Sequence, residues 1–380
     1  MRRPSRGWLV VAALLYPASA VAQNSVYGIV GIGIPDEPIG VHARALGGSY
    51  AVFDPLSALN PGAVGEIGRL AAGITMSQSF RSYTAGDSTV SGLHETRFPF
   101  GFFGGRITGT PLSFAVSYST YAERTYDVRT SGTEIVRGDS LGISDRVVSD
   151  GAITDVRGAL ASRPWPFLEV GAAIHMLGGS SRLSVSRLFS DSAYLAFAEQ
   201  KQLVFSGLGF SAGFVLHPMR RVELAASARV NGRLTTREDS TSAGSSVQLP
   251  VAVSGGLRLL PFRGVSWSTT ASWHSWSTAQ SDLVSPGRAF DTWELASGIE
   301  LNDHTTGVRG QPLRLGVRYR QLPFSNVATQ PSELVLAAGS GWEFASRRAA
   351  FDFSVEHLVR SGGGADEHGW QLTVGILVVP

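Results

Sequence analysis

The chain has no cysteine in its 380 residues. That excludes disulfides, thiol nucleophiles, thiolate metal sites and a lipidated N-terminal cysteine. Lysine is almost missing too: Lys201 stands alone, and arginine carries the rest of the basic charge. The 32 basic residues nearly balance the 30 acidic ones, and no basic block stands out. Nucleic acid is therefore not expected as a partner. No segment offers the ~20 uninterrupted apolar residues of a spanning helix, which excludes a helical inner-membrane protein. There is no phosphate-binding loop, and no metal or cofactor is expected.

The first residues form a secretory leader. Arg2, Arg3 and Arg6 make its positive end, residues 8–16 its apolar middle, and Ala20-Val21-Ala22 a small-x-small cleavage site. Residues 1–22 are thus expected to be removed. Cleavage leaves 29 basic and 30 acidic residues in the mature chain. The apolar middle is too short to cross ~30 Å of hydrocarbon as a helix.

What the chain does have is glycine, 45 residues of it, much of it inside strand-like runs. Apolar and polar side chains alternate in fourteen segments: 69–80, 94–107, 112–128, 152–162, 167–177, 202–216, 221–233, 247–260, 265–276, 292–301, 313–321, 332–345, 349–360 and 370–379. Trp370, Leu372, Val374, Ile376 and Val378 share one face of the last, since strand side chains alternate with period two. Short joints alternate with long polar ones at 81–93, 129–151, 178–201, 234–246, 277–291, 322–331 and 361–369. Such ordered joints and strand lengths predict an all-β protein: an antiparallel transmembrane β-barrel of about fourteen strands over residues 68–380. A charge on its lipid face would cost ~2–4 kcal/mol near the midplane, whereas the lumen tolerates polar groups. Closure is required because an open edge would strand backbone groups in hydrocarbon. The expected location is the outer membrane of a Gram-negative-type bacterium. Trp267, Trp273, Trp276, Trp293, Trp342 and Trp370 are candidates for the interfacial aromatic girdles.

Residues 23–67 break the pattern. They contain Ala43-Arg44-Ala45-x-Gly47-Gly48-Ser49, then Asp54, then Ala58-x-Asn60-Pro61. This stretch resembles the N-terminal signature of the FadL family of outer-membrane transporters of long-chain fatty acids and other hydrophobic compounds. The related PorV/PorQ-type proteins of secretion systems have a similar opening. The resemblance implies a fourteen-stranded barrel with residues 23–67 as a plug, or hatch, in its lumen. It also implies a hydrophobic small-molecule ligand that passes the plug by a conformational change or a side opening, for which the glycine-rich 206–213 is a candidate. The alternative is a PorV-like barrel that docks a secretion partner or serves surface attachment. Otherwise the expected partner is the lipid bilayer, and the barrel is expected to be a monomer.

In the plug motif, Gly47 and Gly48 are expected to make a turn and Asn60-Pro61 to end a short helix. Arg44 suits a bidentate bond to a wall carboxylate. A charged stripe is expected in the lumen: Arg314, Arg318 and Arg320 on the eleventh strand, Glu294 and Glu300 on the tenth, Glu333 and Glu343 on the twelfth. Neighbouring strands bring such opposite charges together. The stripe reads either as a wall network holding the plug or as a polar path that binds a carboxylate.

Catalysis is not expected. Gly209-Phe210-Ser211-Ala212-Gly213 fits the G-x-S-x-G pattern, but it lacks the strand–turn–helix context of a nucleophile elbow. Gly138-Asp139-Ser140-Leu141 falls in a polar joint. His94, His175, His217, His274 and His357 form no spaced pair that suggests a base or a metal site.

Overall fold

In the computed structural model the described residues are 25–86, 88–136, 139–191, 193–239, 244–306, 308, 310–345 and 348–379. The expected leader, Gly138 and the terminal Pro380 lie outside them. Fourteen staves form one antiparallel sheet. They are β1 (Ala71–Ala85), β2 (Ser88–Arg106), β3 (Leu112–Glu123), β4 (Asp139–Trp165), β5 (Leu168–Phe189), β6 (Phe197–Met219), β7 (Val222–Asn231), β8 (Ala252–Phe262), β9 (Val265–His274), β10 (Thr292–Leu301), β11 (Leu313–Gln321), β12 (Ser332–Phe344), β13 (Ala349–Ser361) and β14 (Asp366–Val378). The first pairs with the last from Ala72↔Val378 to Thr84↔Asp366, so the sheet closes. Among the described residues no helix is long and apolar enough to cross a membrane; the crossing elements are strands.

The period-two pattern decides which face meets oil. On β14, Trp370, Ile376 and Val378 are exposed, while Gln371 and Thr373 are buried inside. On β11, Leu313, Leu315, Val317 and Tyr319 point out, and Arg314 and Arg318 are buried inside. Of the girdle candidates, Trp267, Trp293, Trp342 and Trp370 are exposed on the outer face. Trp276 is not: it starts a 3-10 turn, Trp276–Asp282, and is buried against Phe324 with ring centres 5.2 Å apart.

The long joints are the main correction. The expected loop 81–93 is mostly ladder, because β1 runs to Ala85 and β2 begins at Ser88. Likewise, Tyr126–Val136 prolongs β3 and pairs with the first half of β4, while β5 continues past its expected end to Phe189 and β6 begins at Phe197. Along 129–135 both phases are exposed, so the apolar contrast is lost and the stretch reads as a loop. Cross-strand ion pairs hold the extensions instead, with Arg146 2.6 Å from Asp127 and Arg187 2.7 Å from Asp145.

Residues 25–67 contain a short helix α1 (Val41–Ala45) and a 3-10 turn, Gly62–Glu66. Glycines of the staves mark where this segment touches them. A Cβ at Gly316 would overlap the Leu46 carbonyl carbon, and one at Gly171 the Pro61 carbonyl oxygen. At Gly339 it would stand 2.6 Å from Ala45 Cβ. Several of the strand glycines therefore provide space for backbone packed against the inner face.

Candidate functional site

The N-terminal motif residues hold one another and the wall. Arg44 sits on α1, with Nη2 3.3 Å from Asp36 Oδ1 and Nη1 3.7 Å from Glu356 Oε2 of β13. Its contact to a wall carboxylate is thus a single longer approach rather than the expected bidentate bond. Desolvation by itself would raise the pKa of Asp36, but Arg44 and Arg97 hold its carboxyl below the ordinary range. Gly47 and Gly48 do turn the chain, with φ of 66° and 90° that favour glycine. Asp54 caps its own turn, accepting from Leu56 N at 2.9 Å and Ser57 Oγ at 2.7 Å. Asn60 Nδ2 donates to Val52 O at 2.8 Å and to Phe214 O of β6 at 3.0 Å. Pro61 does not end a helix: it precedes the 3-10 turn, as its fixed φ allows.

The charged stripe forms, and it includes groups not expected from sequence. Arg314 Nε meets Glu300 Oε1 at 2.9 Å, and Arg320 Nε meets Glu333 Oε1 at 2.6 Å. Glu294 is the register partner of Arg320. Arg318 Nη1 reaches off the wall to Glu37 Oε2 at 2.7 Å. Arg360 extends the chain of pairs, 2.6 Å from Glu333 and 2.9 Å from Glu367. His42 adds a contact to Glu300 at 2.9 Å. Glu343 lies apart at the exposed rim, 3.6 Å from His304. The inward phase of Asp352 and Glu356 was readable from β13, but nothing periodic pointed to Glu37.

Beside the stripe is a cavity of ≈ 110 Å³. Its apolar lining includes Leu59, Tyr121, Trp276 and Leu322. Over it packs a cluster of Ile32, Ile153, Leu177, Phe205, Trp276 and Phe324. Phe324–Ser325 pairs with Arg288–Ala289 there, so two of the long joints fold inward as a cover.

The cavity also brings together three residues that the sequence kept apart. His175 of β5 has Nδ1 2.8 Å from Asp155 Oδ2 of β4 and Nε2 2.8 Å from Ser211 Oγ of β6. Arg229 of β7 adds Nη1 at 2.7 Å from the same Asp155 oxygen. The direct register partners of Ser211 are Ala173 and Arg229, so His175 reaches it diagonally. No spacing along the chain shows such a relation.

The wall is interrupted next to this cavity. The β7–β8 ladder ends at Arg229↔Ala252, and pairing resumes only at Arg233↔Gln248 in the extensions. Between them Pro250 has no N–H to give. Asn231 Nδ2 bridges the gap by donating to Pro250 O at 3.0 Å. Arg229, Asn231 and Pro250 all line the cavity. The glycine-rich 206–213, by contrast, is fully laddered to β5.

Among the described residues, Glu66, Glu169 and His217 form a group with metal-ligand chemistry. The Arg163 guanidinium lies 2.6 Å from Glu169 and already supplies a positive charge there.

No protein-family model and no curated protein sequence matches the chain. Solved structures do. A Pseudomonas aeruginosa FadL homologue aligns with a TM-score of 0.64 at 14% identity, over 91% of this chain and 99% of that one. The Ralstonia pickettii toluene transporter TbuX aligns at 0.62 and 13%, over 90% and 98%. The P. putida toluene transporter TodX aligns at 0.59 and 12%, over 90% and 99%. The fold is that of FadL-like hydrocarbon channels. A closed ring of fourteen staves with an apolar outer face is the architecture of an outer-membrane barrel. Within it, Ser211 is not placed as a hydrolase nucleophile. It sits mid-strand, paired on both sides, so its neighbouring backbone N–H groups are spent in the ladder and cannot form an oxyanion hole.

Proposed function

We propose that this protein takes up hydrophobic small molecules across the outer membrane, without chemical change. The observation that carries the reading is the mostly apolar cavity inside a closed barrel, beside an interruption of the wall. Residues 23–67 act as the plug in this account, fixed by Arg318–Glu37, Arg44–Glu356 and Asn60–Phe214. The ligand arrives under the cover made by the two inward joints and leaves sideways past Asn231 and Pro250. Such an exit spares an apolar molecule the crossing of the charged stripe, which serves as the network that holds the plug.

Cavity size favours a compact cargo. At ≈ 110 Å³ it is several times the ~10–15 Å³ that a single water needs, and no more. That suits a single substituted ring, as for the toluene transporters of the same fold, better than a long-chain fatty acid.

The test is uptake of labelled toluene by cells that do or do not produce the protein, together with analysis of compounds that co-purify in mild detergent. Faster uptake and an enriched hydrophobic compound support transport. Unchanged uptake, with a secreted protein co-purifying instead, would favour the PorV-like docking role.

A further inference from the structure

At the floor of the cavity the hydrogen-bond count does not close. Asp155 as a carboxylate can only accept, so His175 Nδ1, 2.8 Å away, carries the proton. Arg229, 2.7 Å from the same carboxylate, already balances its charge. His175 is then neutral, and its Nε2 accepts. Ser211 donates its hydroxyl hydrogen to Nε2 across 2.8 Å. The Ser211 oxygen keeps lone pairs that receive nothing. Asp155 Oδ1 and Arg229 Nη2 are also buried without a hydrogen-bond partner. Asp155 is only 2% exposed. Buried polar atoms are seldom left so, because an unmade hydrogen bond costs ~1–3 kcal/mol.

These unspent atoms amount to two acceptors and one donor, on residues that all line the cavity. A hydroxyl group complements them: it gives its hydrogen to Ser211 or Asp155 and accepts from Arg229. A plain hydrocarbon leaves all of them unpaired. A carboxylate has no hydrogen to give. It would also meet a lining that carries the carboxylates of Asp36, Glu37, Asp155 and Glu294. The Arg229 guanidinium is kept in position by the Tyr121 ring, 5.1 Å beneath it.

We propose that Asp155, His175, Ser211 and Arg229 form a subsite for the hydroxyl group of a neutral, otherwise hydrophobic molecule of the phenol or alcohol class. The proposal rests on the cavity being the transport site. His175 and Asp155 act here by fixing the direction of the Ser211 hydroxyl, so that its oxygen faces the guest as an acceptor.

The experiment is calorimetric titration of the full chain in detergent with p-cresol, toluene and 4-methylanisole. The three share a ring, and p-cresol alone has a hydroxyl hydrogen. p-Cresol is expected to bind about tenfold more tightly than either of the others. Ser211→Ala removes one of the two acceptors with little change of volume, and it is expected to lower the p-cresol-to-toluene ratio. Heat-modifiable mobility on gels reports that the variant is folded. Equal affinity of the wild type for all three would overturn the subsite while leaving the transport reading intact. Absence of binding by any of the three would overturn both. Hydrolysis of 4-nitrophenyl butyrate by the wild type but not by S211A would also overturn it, by making Ser211 a nucleophile.

Discussion

Arg318 of the barrel wall and Glu37 of the N-terminal segment stand 2.7 Å apart, although 281 residues separate them in the chain. Both are largely buried, at 6% and 16% exposure. Removing one partner of such a pair leaves the other charge without its closest match, at a cost of ~3–5 kcal/mol. Glu37→Gln is expected to fall at the lower end of that range, because Glu333 and Glu356 remain 3.8 Å from Arg318. Urea unfolding followed by tryptophan fluorescence measures the loss.

Asn60 is fully buried and ties the segment to β6 through Phe214. Asn60→Ala removes the amide that donates to the carbonyls of Val52 and Phe214, and the expected destabilisation is ~1–3 kcal/mol. Limited proteolysis of the folded barrel is expected to release residues 23–67 faster in N60A than in the wild type.

The closure of the barrel can be checked without background, since the natural chain has no cysteine. Ser77 of β1 and Thr373 of β14 are register partners, with side-chain oxygens 3.0 Å apart. The double variant Ser77→Cys with Thr373→Cys is expected to form a disulfide on mild oxidation. An altered gel mobility that reverts with reductant reports it.

The interruption between β7 and β8 gives a functional counterpart. Val230 and Val251 flank it, and both are exposed on the outer face. A disulfide between Val230→Cys and Val251→Cys is expected to slow toluene uptake several-fold, with recovery on reduction. Normal uptake by the cross-linked protein would place the exit elsewhere.

The barrel was legible in the sequence because lipid and water impose opposite demands on alternate residues. On β11 this separates Leu315 and Val317 from Arg314 and Arg318 without any other information. The strand extensions were not legible, because residues such as 129–135 are exposed in both phases and lose that contrast. Nor was the cavity floor. Period two tells which face His175 and Ser211 share. It does not tell which residue of the next strand stands opposite, and Asp155, His175 and Ser211 meet only through the register of three strands. Glu37 was hidden for a different reason, since the segment that carries it has no repeating period. The Arg314–Glu300 and Arg320–Glu333 pairs were readable, because both partners lie in strands of clear phase.

The most direct test of the account is an experimental structure of the protein crystallised with a saturating single-ring hydrocarbon derivative such as p-cresol. Density for the guest among Tyr121, Trp276 and Ser211, with residues 23–67 inside a closed ring of fourteen staves, is the predicted result. A guest found only on the outer surface, or an N-terminal segment lying outside the lumen, would contradict it.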